Sequence, residues 1–400
     1  MAGSRDRAAA GETPANGTNG TNGTASHNGH VLHLGNGKPS VTLPQRNRPF
    51  RAGPVKRVLF IGKNMSRTRC TGGLVDALQR HGVEVRWRNM VTLRRWFGGG
   101  NANRIARFEY RRFRPDTVMV FNTDLPPQLA AEFRETSRLV VWCEEPLVAV
   151  EPSLLDYFAL ADLVCLSNPT RLPLLREQGL DNLAFLMSGF APKYHRPAPR
   201  QAPLRDVAFI GTPGRLGQRA ELLATVAKHF HTEVFGLHWK RWPQYCGDLQ
   251  VSKPIGNREY AQVCATSKIV LGMNEVNDDP SYFSNRTFLT LACRAFHLTH
   301  YVPRLEQVFR DGEHLSWFHG DHDICERIAH WLPLAEERDR IAGVGLAEVV
   351  QHHQYYHRVA RILNWLQYGL PKFTLEDALA AANHRSVPQP SPAASPLPRS

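Results

Sequence analysis

The chain lacks any C-x-x-C pair, although it carries seven cysteines, at positions 70, 143, 165, 246, 264, 293 and 325. Most of them sit in apolar runs such as Leu163-Val164-Cys165-Leu166. That placement describes reduced core thiols of a cytosolic protein and argues against a disulfide framework or a thiolate metal site. Eighteen histidines show no metal spacing with Cys or Asp. His353 and His357, four apart on a predicted helix, are the nearest approach to one, and packing or surface roles suit them better. No Gly-Lys-Ser/Thr follows a glycine turn, which argues against a P-loop nucleotidase, and the dinucleotide pattern G-x-G-x-x-G is missing. No apolar run approaches the roughly 18 residues of a membrane span. The N-terminal stretch has no apolar segment of the kind that directs secretion, so its Asn-Gly-Thr repeats read as linker composition rather than glycosylation sites. Acids are also short: 36 against 49 basic residues, leaving a formal charge of +13.

Much of that charge is local. Arg86, Arg88, Arg94, Arg95, Arg104, Arg107, Arg111, Arg112 and Arg114 face one acid, Glu109, within a single stretch. Trp87, Trp96, Phe97, Phe108, Tyr110 and Phe113 are interleaved with them. Three readings compete for residues Arg86 to Arg114. The first is a solvated helix face whose aromatics belong to the core. The second is a peripheral contact with an anionic membrane surface or an acidic acceptor. The third, binding of single-stranded nucleic acid, ranks last.

At 400 residues, 42% of them apolar, the chain can build two cores. Residues 1–54 and 371–400 are low in complexity or rich in Pro and Ser, and too poor in apolar side chains to offset the entropy of ordering. Between them short apolar strands alternate with helical periods. Strands are predicted at Arg57–Gly62, Val83–Trp87, Thr117–Phe121, Leu139–Trp142 and Leu163–Leu166, and a helix from Gly73 to His81. The proline-rich segment 192–204 reads as a linker. The pattern then restarts at Asp206–Gly211 and continues through Glu233–Gly236 and Ile269–Gly272. The alternation predicts an α/β protein with two doubly wound halves, 55–191 and 205–370, and a cleft at the carboxyl ends of both sheets. A helical C-terminal segment, 335–366, is placed to pack across both.

Three segments carry candidate chemistry. The first is the turn Gly211-Thr212-Pro213-Gly214-Arg215-Leu216-Gly217, followed by Arg219. It is a strand-to-helix turn where backbone can approach a phosphate and an arginine can add a bidentate contact; an ordinary solvent-facing turn is the competing reading. The second is Ser284-Asn285-Arg286-Thr287. Ser284 or Asn285 caps a helix, but Arg286 in the first turn opposes the helix dipole unless an anion lies nearby. The third is Glu144-Glu145-Pro146 at a strand's carboxyl end, where one of two adjacent acids can serve as a general base or both can be a solvated strand end.

Residues 205–366 resemble the CgeB-like (spore maturation) glycosyltransferases. The resemblance rests on Asp206-Val207-Ala208-Phe209-Ile210-Gly211, on Ser267-Lys268-Ile269-Val270-Leu271, and on the SNRTF-x-x-x-ACR-x-F block from Ser284 to Phe296. It continues through Leu305-Glu306-x-x-Phe309, Asp311-Gly312-Glu313 and Gln351-His352-His353-x-Tyr355-x-x-Arg358. Trp142-Cys143-Glu144-Glu145-Pro146 is similar to the acidic-Pro turn of the same proteins. The resemblance implies a GT-B architecture: two Rossmann-like domains, the nucleotide-sugar donor in the second and an unidentified acceptor in the first. It implies a cytoplasmic, hexosyltransferase-like enzyme with no cofactor and no bound metal. Gly211, Arg215, Arg219, Asn285, Thr287 and Glu306 would bind substrate, and Arg286 and Glu145 would be catalytic. The chain departs from the family pattern twice. Leu289 stands where an acid usually follows the phenylalanine, and Arg294 where a glycine usually follows Ala-Cys. Those departures keep open a degenerate scaffold that binds or assembles without turnover.

Overall fold

The computed structural model describes residues 50–63, 70–145, 147, 150–215 and 217–370. Residues 371–400, nearly all of 1–54, and Pro146 and Leu216 of the candidate segments lie outside the described residues. The first six strands are β1 (Arg57–Ile61), β2 (Glu84–Arg88), β3 (Thr117–Phe121), β4 (Arg138–Cys143), β5 (Leu163–Leu166) and β6 (Leu183–Phe185). They form one parallel sheet in the order β2-β1-β3-β4-β5-β6. The second sheet holds β7 (Arg205–Ile210), β8 (Thr232–Phe235), β9 (Gln250–Ser252), β10 (Ser267–Gly272), β11 (His297–His300) and β12 (Ser316–Phe318). Its order is β12-β11-β10-β7-β8-β9, again parallel throughout.

Sequence explains position in the sheet. The run in β4 is buried along its whole length and lies at the interior, as continuous apolar strands of parallel sheets do. β2 reads Glu-Val-Arg-Trp-Arg, is only half-buried, and takes the edge. Among the described residues eleven α-helices cover the sheets: α1 (Cys70–Arg80), α2 (Met90–Phe113), α3 (Pro127–Phe133), α4 (Pro152–Leu160), α5 (Leu172–Glu177), α6 (Gln218–Ala227), α7 (Asn257–Ala265), α8 (Asn285–Ala292), α9 (Ile324–Trp331), α10 (Ala335–His352) and α11 (Tyr355–Tyr368).

The C-terminal helical segment does pass from one half to the other, and it breaks to do so. α10 packs on α8 beside the second sheet. α11 returns to the first, where Tyr355, Val359, Ile362 and Trp365 join Val58, Phe60, Leu74 and Trp142 in one core. The 205–370 span read from sequence therefore includes a helix that serves the first sheet. At the break the chain is pinned to the segment leaving β6. Phe190 N–H donates to the His353 carbonyl at 3.2 Å, and Tyr355 N–H donates to the Phe190 carbonyl at 2.8 Å. Gly189 permits the approach, since a Cβ there would stand 2.6 Å from the His353 carbonyl oxygen. Arg358, fully buried, donates from Nε to the Met187 carbonyl (3.0 Å) and from Nη2 to the Ser188 carbonyl (3.2 Å) and His353 Nδ1 (2.9 Å). His353 is structural: its ring packs tilted against Phe288 and Phe309 in the core.

Candidate active site between the two sheets

In the second sheet the strand order reverses between β7 and β10. Chains leaving those two strands diverge and open a crevice, where open α/β sheets bind ligands. Gly211 follows β7 at this point, and the loop from Met273 to Ser284 follows β10.

Arg286 reaches into this crevice from the first turn of α8. Its Nε donates to the Ile210 carbonyl at 2.6 Å and Nη1 to the Met273 carbonyl at 2.8 Å, while the guanidinium lies 4.9 Å over the Phe209 ring. Nη2 faces Gly211, where an added Cβ would sit 2.6 Å away. Arg286 is half-buried, and beside it lies Arg219, which is buried. Its Nε donates to the Asn274 carbonyl (3.3 Å), Nη1 to the Thr212 carbonyl (3.4 Å), and Nη2 pairs with Glu275 at 3.2 Å. Burial, and then the neighbouring Arg219 charge, pull the Arg286 pKa down to about 10, and burial pulls Arg219 down as well. Both remain cationic at neutral pH. Two neighbouring guanidiniums, Arg219 buried and Arg286 partly buried, with one carboxylate paired to Arg219, leave an excess of positive charge that an anion would relieve.

The helix adds to it. Ser284 caps α8 without a side-chain capping bond; its Oγ accepts from Arg286 Nη1 at 3.4 Å instead. The backbone N–H groups of Asn285 and Arg286 have no partner among the described residues. Thr287 is buried and donates its N–H to the Ser284 carbonyl. Gly211 enters the site differently from the sequence expectation. Its own N–H is committed to the Phe235 carbonyl (2.9 Å) and its carbonyl accepts from Trp239 Nε1 (3.0 Å). What it contributes is room for Arg286. The N–H groups of Thr212 and Gly214, further along the turn, have no partner among the described residues. Arg215 takes part through its backbone, whose N–H donates to Glu275 at 3.0 Å; its side chain is exposed.

The opposite wall comes from the first sheet. Glu144 Oε1 accepts from Ser188 Oγ at 2.7 Å and from the Tyr355 hydroxyl at 3.3 Å. Glu145 is exposed and accepts from Asn122 Nδ2 at 3.2 Å. Tyr282 feels charges from both walls. Burial chiefly, then the Glu145 and Glu144 carboxylates, push its phenol pKa up, while Arg219 pulls it down. The loop after β10 also touches the first half directly: Asp279 accepts from Asn168 at 2.7 Å and approaches Arg171 at 3.7 Å.

Glu306 makes no hydrogen bond or ion pair with these residues among the described ones. It is exposed and accepts from the Tyr301 hydroxyl at 2.8 Å. Leu289 points into the core and is 5% exposed. Arg294 adopts a left-handed backbone, φ 57°, at the end of α8, the conformation glycine takes most easily, and its guanidinium turns away to Asp339. Sequence reasoning missed Tyr282, Glu275 and Asn122. They lie in loops, and their only signal is adjacency to strand ends. No group of three His, Cys, Asp or Glu side chains placed to hold a metal occurs among the described residues.

Two parallel six-stranded sheets facing each other across this cleft are the GT-B glycosyltransferase fold. A family model described as glycosyl transferase-like matches residues 218–364. Anabaena HepE, crystallised with UDP and glucose, has a similar structure, with TM-score 0.56, 13% identity, and coverage of 77% of this chain and 99% of that one. Sucrose-phosphate synthase from Thermosynechococcus elongatus gives 0.57 at 11% identity, covering 78% and 99%. A Rickettsia africae glycosyltransferase gives 0.54 at 12%, covering 79% and 100%. Among curated proteins no sequence matches the chain.

Proposed function

We propose that the protein is a glycosyltransferase that moves a sugar from a nucleoside-diphosphate sugar to an acceptor held against the first sheet, in a CgeB-like branch of the GT-B enzymes. The observation that carries this reading is the pair of guanidiniums, half-buried Arg286 and buried Arg219, at the switch point beside the N-terminus of α8. As the bond from the anomeric carbon to the diphosphate breaks, negative charge grows on the leaving oxygen. Preorganised cations and free N–H groups in a water-poor site stabilise that charge strongly. Arg286, Asn285 and Thr287 would hold the diphosphate with the turn at Gly211. Arg219, paired with Glu275, would add a second cation facing the diphosphate, and Arg215 and Glu306 would contact the sugar or nucleoside. In an inverting reaction Glu145, on the facing wall, would take the acceptor proton. No cofactor or metal is part of this reading, and the cytoplasm is the compartment it assumes. The UDP-containing HepE structures make UDP-sugars the first donors to try.

Leu289, buried where an acid is usual, favours a second reading: a GT-B scaffold that no longer turns over. Calorimetric titration with a panel of nucleoside diphosphates and their sugars, followed by a donor-hydrolysis screen, separates the two. A transferase binds at least one donor and hydrolyses it slowly. Binding of none of them supports the scaffold. With a donor in hand, Arg286→Ala is expected to abolish hydrolysis, and Arg286→Lys to retain part of it. Unchanged turnover in Arg286→Ala removes Arg286 from the mechanism.

A further inference from the structure

The arginine-rich stretch is sorted by the fold into two populations. Arg86 and Arg88 both pair with Glu109, at 3.4 and 2.7 Å, and Arg107 pairs with Glu132 at 2.6 Å. Tyr110 stacks on Phe133, and Phe113 is fully buried beneath Arg57 and Arg86. These residues fit the core reading of the sequence.

The rest do not. α2 kinks at Gly98, whose φ is 75°, and every residue from Arg94 to Gly100 in the arm around the kink is exposed. Trp96 is 72% exposed and Phe97 49%. In the second part of the helix Phe108 is 60% exposed. It is flanked at helical spacing by Arg104, Arg111 and Arg112, which are exposed as well. Arg94, Arg95, Arg111, Arg112 and Arg114 have no acidic partner among the described residues. The helix therefore keeps its acid, Glu109, for the inner pairs and leaves an outer surface of large aromatics and unpaired cations. A soluble face needs the cations but not an outward Trp and two outward Phe.

We propose that this outer surface of α2 docks on a bilayer containing anionic phospholipid. Trp96 and Phe97 would enter the headgroup boundary while the unpaired arginines meet lipid phosphates. Tryptophan prefers that boundary because its N–H end is wetted and its ring is not, Phe97 adds apolar area that the acyl side takes up, and arginine binds phosphate bidentately. A second copy of the chain is a poor occupant, since two such surfaces repel each other. No helix among the described residues is long and apolar enough to span a membrane, so attachment through this surface is peripheral. α2 begins two residues beyond the carboxyl end of β2, and the carboxyl ends of these strands face the cleft. Docking therefore brings the cleft rim of the first half near the bilayer.

The test is co-sedimentation of the full chain with vesicles of phosphatidylcholine, with and without about one-third phosphatidylglycerol. The protein should sediment with the anionic vesicles and release as salt is raised. Trp96→Ala/Phe97→Ala should weaken binding at least tenfold, and each of Arg94→Gln and Arg95→Gln about fivefold. These positions are exposed, so the variants are expected to melt like the parent. Failure to bind anionic vesicles overturns the proposal. So does binding that survives all four substitutions, or salt-sensitive retention on single-stranded DNA by a protein that ignores vesicles. The measurement needs no donor, so its failure is distinct from failure of the transferase reading.

Discussion

Gly211→Ala tests the site through a single methyl group. The new Cβ would stand 2.6 Å from Arg286 Nη2 and 3.0 and 3.1 Å from two atoms of the Phe209 ring. Ordinary carbon contacts begin near 3.5 Å, so the guanidinium must retreat by about 0.9 Å or the turn must open. Overpacking of this kind costs about 1–3 kcal/mol of stability, which a folded domain usually tolerates. Function should suffer more. A displacement of about 1 Å in a charged group that meets the transition state costs up to about 100-fold, so donor hydrolysis should fall about 10- to 100-fold, or about 1.4–2.7 kcal/mol in barrier. The assay is donor hydrolysis at saturating and sub-saturating donor, with a urea melt to confirm folding. Because the alanine keeps the backbone N–H, any effect must come through the side chain's neighbours. If Gly211 acts through Arg286, Gly211→Ala and Arg286→Lys will be non-additive. A folded Gly211→Ala protein with unchanged kcat/KM would refute the placement of Arg286 as the charge-stabilising group.

Arg358→Ala should lower stability by about 2–4 kcal/mol, since it orphans the carbonyls of Met187 and Ser188 at the crossover; urea titration measures this, and a change under about 1 kcal/mol would mean the crossover holds without it. Acid should unfold the protein early. Burial drives His297 and His353 down to about 3, and Glu348, which raises His353, does not offset that burial. Between pH 6.5 and 3 the unfolded chain binds the extra protons, so stability is fully present above pH 6.5 and falls as pH drops toward 3. Melting temperature against pH should therefore decline steadily below 6.5, and a flat profile down to pH 4 would contradict burial of these rings.

The halves of the fold could be read from the chain because parallel strands buried on both faces announce themselves as short apolar runs. The predicted strands at Arg57, Thr117, Leu139, Leu163, Asp206, Glu233 and Ile269 all correspond to observed ones. The polar lead into α8 was equally visible, since a cation in the first turn of a helix is a local conflict that sequence records. The partners that resolve the conflict were not visible. The Ile210 and Met273 carbonyls are 76 and 13 residues away from Arg286, and backbone acceptors leave no mark in composition. Nor could the sequence divide the arginines of α2. Which of them find Glu109 and Glu132, and which aromatics face out, follows from a kink at Gly98 and from the packing of α3.

Local physics thus determined what the elements are: apolar period, glycine turns and proline breaks fix strands and helices before any long-range contact forms. Tertiary structure decided what the polar groups are for. The anion site proposed at Arg286 depends on the partial burial of its charge and on a second guanidinium, Arg219, brought beside it. The docking role proposed for Trp96 depends likewise on its exposure, which the fold and not the composition sets.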